Sequence, residues 1–343
     1  MPRANSLTAP PARAAAADDD ALSGLLRGLR PAPPGVPERL WHDALAGPVA
    51  EFLRRPGKHF RSRLVTLGWQ FAGRADGPPA ALPLVVELLH AGSLVVDDIQ
   101  DGSLQRRGRA ALHRLVGMPA ALNAGNWLYF WPLTLIKSLG LPAAVELALH
   151  RMCADALRVC HEGQALDLAA RVGDLHPAEI RGVCRAVSER KTGALLGLSA
   201  GLGAAAGGAD PATVQALTAF GVRVGVGLQM QNDLSELTGA AGPLKHPEDL
   251  VHGRVTWPWA WAAARLPAAA FDALQVRGLK LAAGTGDAAA LAADLLDALG
   301  PDPARPVAAE LAAAERSLDA VAGPAPAVAA ARAELDRLLR RYT

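Results

Sequence analysis

Apolar positions recur along most of this chain every three or four residues, the spacing of a helix with one buried face. Trp41, Leu45, Val49 and Phe52 open the series, and Pro56-Gly57 interrupts it. Further helices are predicted over about 60–72, 82–101, 120–139, 143–170, 177–203 and 211–237, then over 257–266, 268–281, 288–299 and 305–341. Gly/Pro clusters at 207–208, 239–243 and 300–303 punctuate them. Residues 1–37, rich in Ala, Pro, Arg and Asp, read as a mostly disordered leader with a short helix around 20–29. Residues 38–343 read as one helical domain, because no internal linker is long enough to divide them.

Composition sharpens this picture. Alanine is abundant, runs of β-branched residues are rare and aromatic residues are only 4%, so the expected class is all-α, a single-domain bundle of about ten or more helices. Hydrophobic residues at 51% and charged residues at 20% suit a soluble protein with a sizeable core. A net charge of +2 gives no case for nucleic acid as a partner. Cys153, Cys160 and Cys184 are too few and wrongly spaced for a disulfide framework or a zinc site, which points to a reducing compartment. No apolar run reaches the roughly 18 to 20 residues of a membrane-spanning helix, and no secretory signal opens the chain. The expected location is cytoplasmic, without stable membrane insertion.

Chemistry gathers at two acidic helix ends. The segment HAGSLVVDDIQDGSLQRRG, from His90 to Gly108, ends an apolar helix in Asp97, Asp98 and Asp101. Residues four apart share a helix face, so Asp97 and Asp101 point together and Asp98 is turned away by about 100°. Carboxylates at a helix C-terminus oppose the helix dipole and repel each other, and Mg²⁺, which takes one or two carboxylates plus phosphate oxygens, relieves both. The alternative is a solvated polar helix end. A second patch, QMQNDLSE, brings Asn232, Asp233 and Glu236 to one side of a helix end, where a solvated end is again the competing reading. Single cations sit at matching breaks: Lys58 and Arg61 at a helix start, Lys191 in an apolar stretch, and Lys245 and Arg254 around Asp249. Together they suggest a cavity for several phosphates and metals.

The order of these motifs resembles the trans-isoprenyl diphosphate synthases, the polyprenyl synthetase family. PGKHFR, at 56–61, looks like its Gly-Lys-x-x-Arg segment, and HAGSLVVDDIQDGSLQRRG looks like its first aspartate-rich motif. GQALDL at 163–168, KTG at 191–193, LQMQNDLSE and KHPEDLVHGRVTWP follow in family order. The resemblance implies a helical bundle around a central cavity and a homodimer. It implies isopentenyl diphosphate bound by Lys58, Arg61, His90 and Arg107. It implies an allylic diphosphate bridged through two to three Mg²⁺ ions to Asp97 and Asp101, and contacted by Arg106, Lys191, Thr192, Gln229 and Lys245, with Gln164 and Asp167 lining the same cavity. The implied reaction ionises the allylic diphosphate. The double bond of isopentenyl diphosphate then attacks the resulting cation, and a proton is lost.

Two departures accompany the resemblance. Asn232 and Glu236 stand where the second motif usually has aspartates, leaving Asp233 unchanged among the implied ligands, and Arg254 replaces a lysine. A terpene cyclase on the same scaffold and a non-catalytic subunit of a synthase are the competing functions. The family sets its hydrocarbon pocket about one turn before the first motif. There Gly92 and Ser93 leave room, and the implied product is of geranylgeranyl length or longer.

Overall fold

The all-α expectation holds in the computed structural model, which describes residues 12–29, 31–57, 59–239, 248–321 and 323–340. Among these residues the only strands form one two-residue hairpin. Backbone contacts gather the chain into two compact units, Met1–Thr66 with Ala75–His150 and Leu67–Arg74 with Arg151–Thr343, where the sequence predicts one domain over 38–343.

The first unit begins with α1, Ala12–Gly28. The sequence expects a helix only from about residue 20, within a disordered leader; the helix instead extends back to Ala12. Its end is anchored, because Leu26 and Leu29 are buried and the Trp41 indole N–H donates to the Leu29 carbonyl at 2.9 Å. Next, α2 (Glu38–Trp41) runs through a π turn, His42–Ala46, into α3 (Gly47–Leu53). Then follow α4 (Phe60–Phe71) and α5 (Ala81–Gln100). The hairpin β1 (Gln105–Arg106) and β2 (Arg109–Ala110) leads to α6 (Leu112–Val116), α7 (Met118–Ser138) and α8 (Ala143–Ala169). Helices α4 and α8 are each divided between the units.

Helix α5 buries Leu82, Val85, Leu89 and Val95, while Glu87, His90, Ser93, Leu94 and Asp97 keep partial access on one stripe. Gly92 does not lie on that stripe. A Cβ there would stand 2.8 Å from the Gly125 carbonyl oxygen and 3.0 Å from Leu128 Cβ of α7. The sequence expectation that Gly92 opens a channel is therefore corrected: its missing side chain lets α5 and α7 approach. Ser93 keeps the open position.

In the second unit α9 (Pro177–Val187) starts at a capping box, in which His176 and Glu179 each accept from the other's side of the turn. A π turn, Ser188–Gly193, joins it to α10 (Ala194–Gly207), so the segment expected as one regular helix over 177–203 changes phase midway. Asp210 caps α11 (Pro211–Leu237) through backbone N–H bonds of 2.9 and 3.0 Å. The helices α12 (Glu248–Val251), α13 (Trp257–Arg265), α14 (Ala268–Ala282) and α15 (Ala288–Leu299) follow. The single helix expected over 305–341 is two, α16 (Arg305–Ser317) and α17 (Ala325–Arg340). A 3₁₀ turn at Leu318–Ala320 ends the first, and Pro324, which cannot continue a helix, precedes the second. Among the described residues there is no disulfide, and no helix is long and apolar enough to cross a membrane.

Candidate active site

On the first unit the acidic motif closes α5. Asp101 is the residue that caps it, with its N–H on the Asp97 carbonyl at 2.8 Å. Asp97 keeps 17% of its side chain exposed, whereas Asp98 keeps 1%. Asp98 faces inward onto Arg106, which donates to it through Nε at 2.7 Å and through Nη2. Asp97 lies 3.7 Å from the same guanidinium. Burial pushes the Asp98 carboxyl up, against the pull of Arg106. Burial alone would depress Arg106; its bond to Asp98 and the fields of Asp98, Asp97 and Asp101 outweigh that and raise it. Arg106, expected as a substrate contact, is thus already fixed by a carboxylate of its own motif.

Arg106 and Arg107 ride on the hairpin. Its two-residue turn places Arg107 at φ 55° and Gly108 at φ 75°, the left-handed pair of a type I′ turn. Glycine adopts this freely; arginine does so at a cost of about 1 kcal/mol or more. The Arg107 guanidinium donates to the Arg55 carbonyl at 3.3 Å and stands 6.0 Å from the Phe52 ring centroid. Burial lowers its pKa, with Glu87 opposing and Arg106 and Arg55 adding to the shift. His90, on the open stripe of α5, is held neutral: burial, then Arg61, Arg107 and Arg106, push its pKa well below 6.5. The positive fields of three arginines thus act on one neutral imidazole, an arrangement that an anion would relieve. Arg61 lies in the first turn of α4, while Lys58 falls outside the described residues.

On the second unit, Gly163 lets α8 press against the π turn, because a Cβ there would be 2.4 Å from the Lys191 nitrogen. That approach brings Asp167, four residues on, to Lys191 Nζ at 2.7 Å and to Arg254 Nη1 at 2.6 Å. Gln164 is half-buried on the same helix. Thr192 donates to Gln229 Oε1 at 2.7 Å, and Gln229 Nε2 donates to Asp233 at 2.8 Å. Asp233 is 7% exposed and also accepts the Trp257 N–H at 3.0 Å. Burial pushes its carboxyl up to about 7, against those two hydrogen bonds. Asn232 is exposed, and Glu236 accepts the Asp249 N–H at 3.0 Å. Burial, then Glu236, Asp233 and Asp167, raises the Asp249 carboxyl well above its usual range. The second motif is therefore divided: Asp233 points into a hydrogen-bonded interior, while Asn232 faces solvent. Lys245 falls outside the described residues.

Asp97 and Asp101 supply two oxygen donors at one helix end, a set that suits Mg²⁺ sharing its shell with phosphate oxygens and water. Among the described residues no three His, Cys, Asp or Glu side chains converge to hold a metal unaided. Arg55, Glu51 and Asp249 carry none of the expected roles, yet Arg55 bonds Arg106 and Arg107, Glu51 holds Arg55, and the Asp249 N–H donates to Glu236. Only Asp249 shows in the sequence, through its place between Lys245 and Arg254.

Residues 42–276 match the profile of the polyprenyl synthetase family. This chain belongs to that family. It is a prenyltransferase of isoprenoid biosynthesis. A geranylgeranyl pyrophosphate synthase of Eremothecium gossypii is 29% identical over 243 residues, 70% of this chain and 74% of that one. The crystal structure of a polyprenyl synthetase from Streptomyces coelicolor superposes with a TM-score of 0.76 at 25% identity, covering 94% of this chain and 97% of the other. A geranylgeranyl pyrophosphate synthase from Corynebacterium glutamicum, solved with isoprenyl diphosphate and magnesium, shares the fold with a TM-score of 0.77 at 23% identity, covering 96% of this chain and 98% of the other.

Proposed function

We propose that this prenyltransferase condenses an allylic diphosphate with isopentenyl diphosphate, with Mg²⁺, to a trans-polyprenyl diphosphate of geranylgeranyl length or longer. One observation carries the reading. Arg106 and Arg107 sit on the hairpin that follows the acidic motif, Arg106 bonded to Asp98, and the charges of both, with that of Arg61, act on His90 of the helix that bears Asp97. A cyclase, which ionises a single diphosphate, has no use for an anion site beside its metal-binding carboxylates; a condensing enzyme needs one.

In this reading Arg61, His90 and Arg107, with Lys58, hold the diphosphate of isopentenyl diphosphate. Neutral His90 donates a hydrogen bond without adding charge. Asp97 and Asp101 hold the metal, with Arg106 oriented beside them by Asp98. On the second unit Lys191, Thr192 and Gln229 are the groups for the allylic diphosphate, and their mutual bonds keep them preorganised. Bound Mg²⁺ would supply charge neutralisation for the departing diphosphate. The small Ser93 on the open stripe supports the longer products. The implied homodimer finds support in the exposed Leu115, Met118, Leu122 and Phe130.

Incubation with Mg²⁺, isopentenyl diphosphate and allylic primers of increasing length tests this. Elongated diphosphates are expected. Cyclic hydrocarbons from the allylic substrate alone would establish the cyclase, and no turnover with any primer the regulatory subunit. A second measurement addresses the altered motif. Asn232→Asp adds a charged oxygen at an exposed position and is expected to lower the Mg²⁺ concentration for half-maximal rate. A mutant that needs more Mg²⁺ would remove Asn232 from the metal site.

A further inference from the structure

We propose that Arg55 is the positioning residue of the hairpin that presents Arg107 to isopentenyl diphosphate. The proposal rests on the reading above that Arg107 binds that substrate. Arg55 touches no ligand itself, since its side chain is wholly buried. Its guanidinium donates to the carbonyls of both strands, Arg106 at 3.2 Å and Ala110 at 2.8 Å. Its own carbonyl receives the Arg107 guanidinium at 3.3 Å. The two segments are thus fastened in both directions, side chain to backbone and backbone to side chain, through one residue. Glu51 fixes the fastener: it accepts from Arg55 Nη2 at 2.7 Å and Nε at 3.1 Å, and also pairs with Arg109 of β2 at 3.1 Å.

The hairpin needs such a hold for two reasons. Its turn keeps Arg107 at positive φ, a conformation that persists only where surrounding contacts over-determine it. Burial also disfavours the Arg107 charge, and the fields of Arg106 and Arg55 repel it against the pull of Glu87. Arg106 has an independent anchor in Asp98, whereas among the described residues Arg107 has the field of Glu87 but no such ion pair. Loosening Arg55 should therefore release Arg107 selectively. A lysine at 55 keeps the charge but cannot reach Glu51 and two carbonyls at once, because it lacks the planar fork.

The test is Arg55→Lys in the full chain, with steady-state kinetics varied in each substrate and a thermal melt. KM for isopentenyl diphosphate is expected to rise about tenfold, with kcat and the allylic KM within about twofold of the parent. All parameters unchanged in the folded mutant would overturn the proposal. So would kcat and both KM values worsening together, which is what general loosening produces. If Arg55→Lys does not fold, Glu51→Gln decides by the same measurements, since it slackens Arg55 without removing its donors. A parent chain that makes no product from isopentenyl diphosphate fails the underlying reading, and is told apart because it fails before any substitution.

Discussion

Alanine at Asp97 or at Asp101 is expected to lower turnover about a thousandfold and to leave the melting temperature near that of the parent. Asp97 is partly exposed, and the Arg106 beside it keeps Asp98 as its closer partner. What is lost is a carboxylate at the point where leaving-group charge must be neutralised. Asp98→Ala is expected to behave differently, and not as the mild change that its helical rotation alone suggests. Asp98 is buried against Arg106, and deleting it leaves that guanidinium only the longer approach of Asp97 at 3.7 Å. Breaking such a pair costs about 3 kcal/mol, which lowers the melting midpoint by several degrees. Turnover falls as well, because Arg106 loses its orientation. Melts followed by circular dichroism, with kinetics on the same preparations, separate the two behaviours. Asp97→Ala retaining a tenth of parental turnover would sink the metal assignment. Asp98→Ala melting like the parent would show that the pair does not organise the motif.

Placing an aromatic ring one position along α5 should give opposite results at neighbouring residues. Even Gly92→Ala is expected to destabilise the fold by about 1 to 3 kcal/mol through overpacking, because its Cβ would meet the Gly125 carbonyl. Gly92→Phe should prevent stable folding. Ser93 is one helical turn before Asp97 on the accessible stripe, with its hydroxyl on the His90 carbonyl at 2.8 Å. Ser93→Phe is expected to fold and to shift the products to shorter chains, since the ring fills space needed only by the hydrocarbon tail. Mass analysis of the dephosphorylated products is the check. An unchanged distribution from a folded Ser93→Phe would take position 93 out of the product channel.

Helix positions were legible because long segments keep one period: 211–237 and 288–299 are found as the pattern predicts. What stayed hidden depends on partners distant in sequence. Gly92 is equally small whether it lines a channel or touches α7, and only the carbonyl of Gly125 distinguishes the two. Arg55 looks like any surface arginine, because the carbonyls it serves are about fifty residues away. The sequence puts Asp233, Asn232 and Glu236 on one side of a helix end, yet one buried N–H, that of Trp257, draws Asp233 inward. The break before α17 was missed because alanine-rich sequence on both sides favours helix strongly enough to mask a single Pro324.

The π turn at Ser188–Gly193 makes residue count a functional property of the second unit. Such a turn takes one residue more than the regular α-helical turn, so everything after it is rotated by about 100° relative to an uninterrupted helix. Lys191 and Thr192 lie within it, one directed to Asp167 and the other to Gln229. Exchanging either side chain alters only the contacts of that side chain. Losing any single residue from the turn would let α9 and α10 fuse into a regular helix and swing the remainder of the turn, together with the buried small-residue face of α10, out of register with α11. This stretch is therefore more tolerant of spelling changes than of changes in length, and an indel here is equivalent to a mutation of every residue that follows it in the helix.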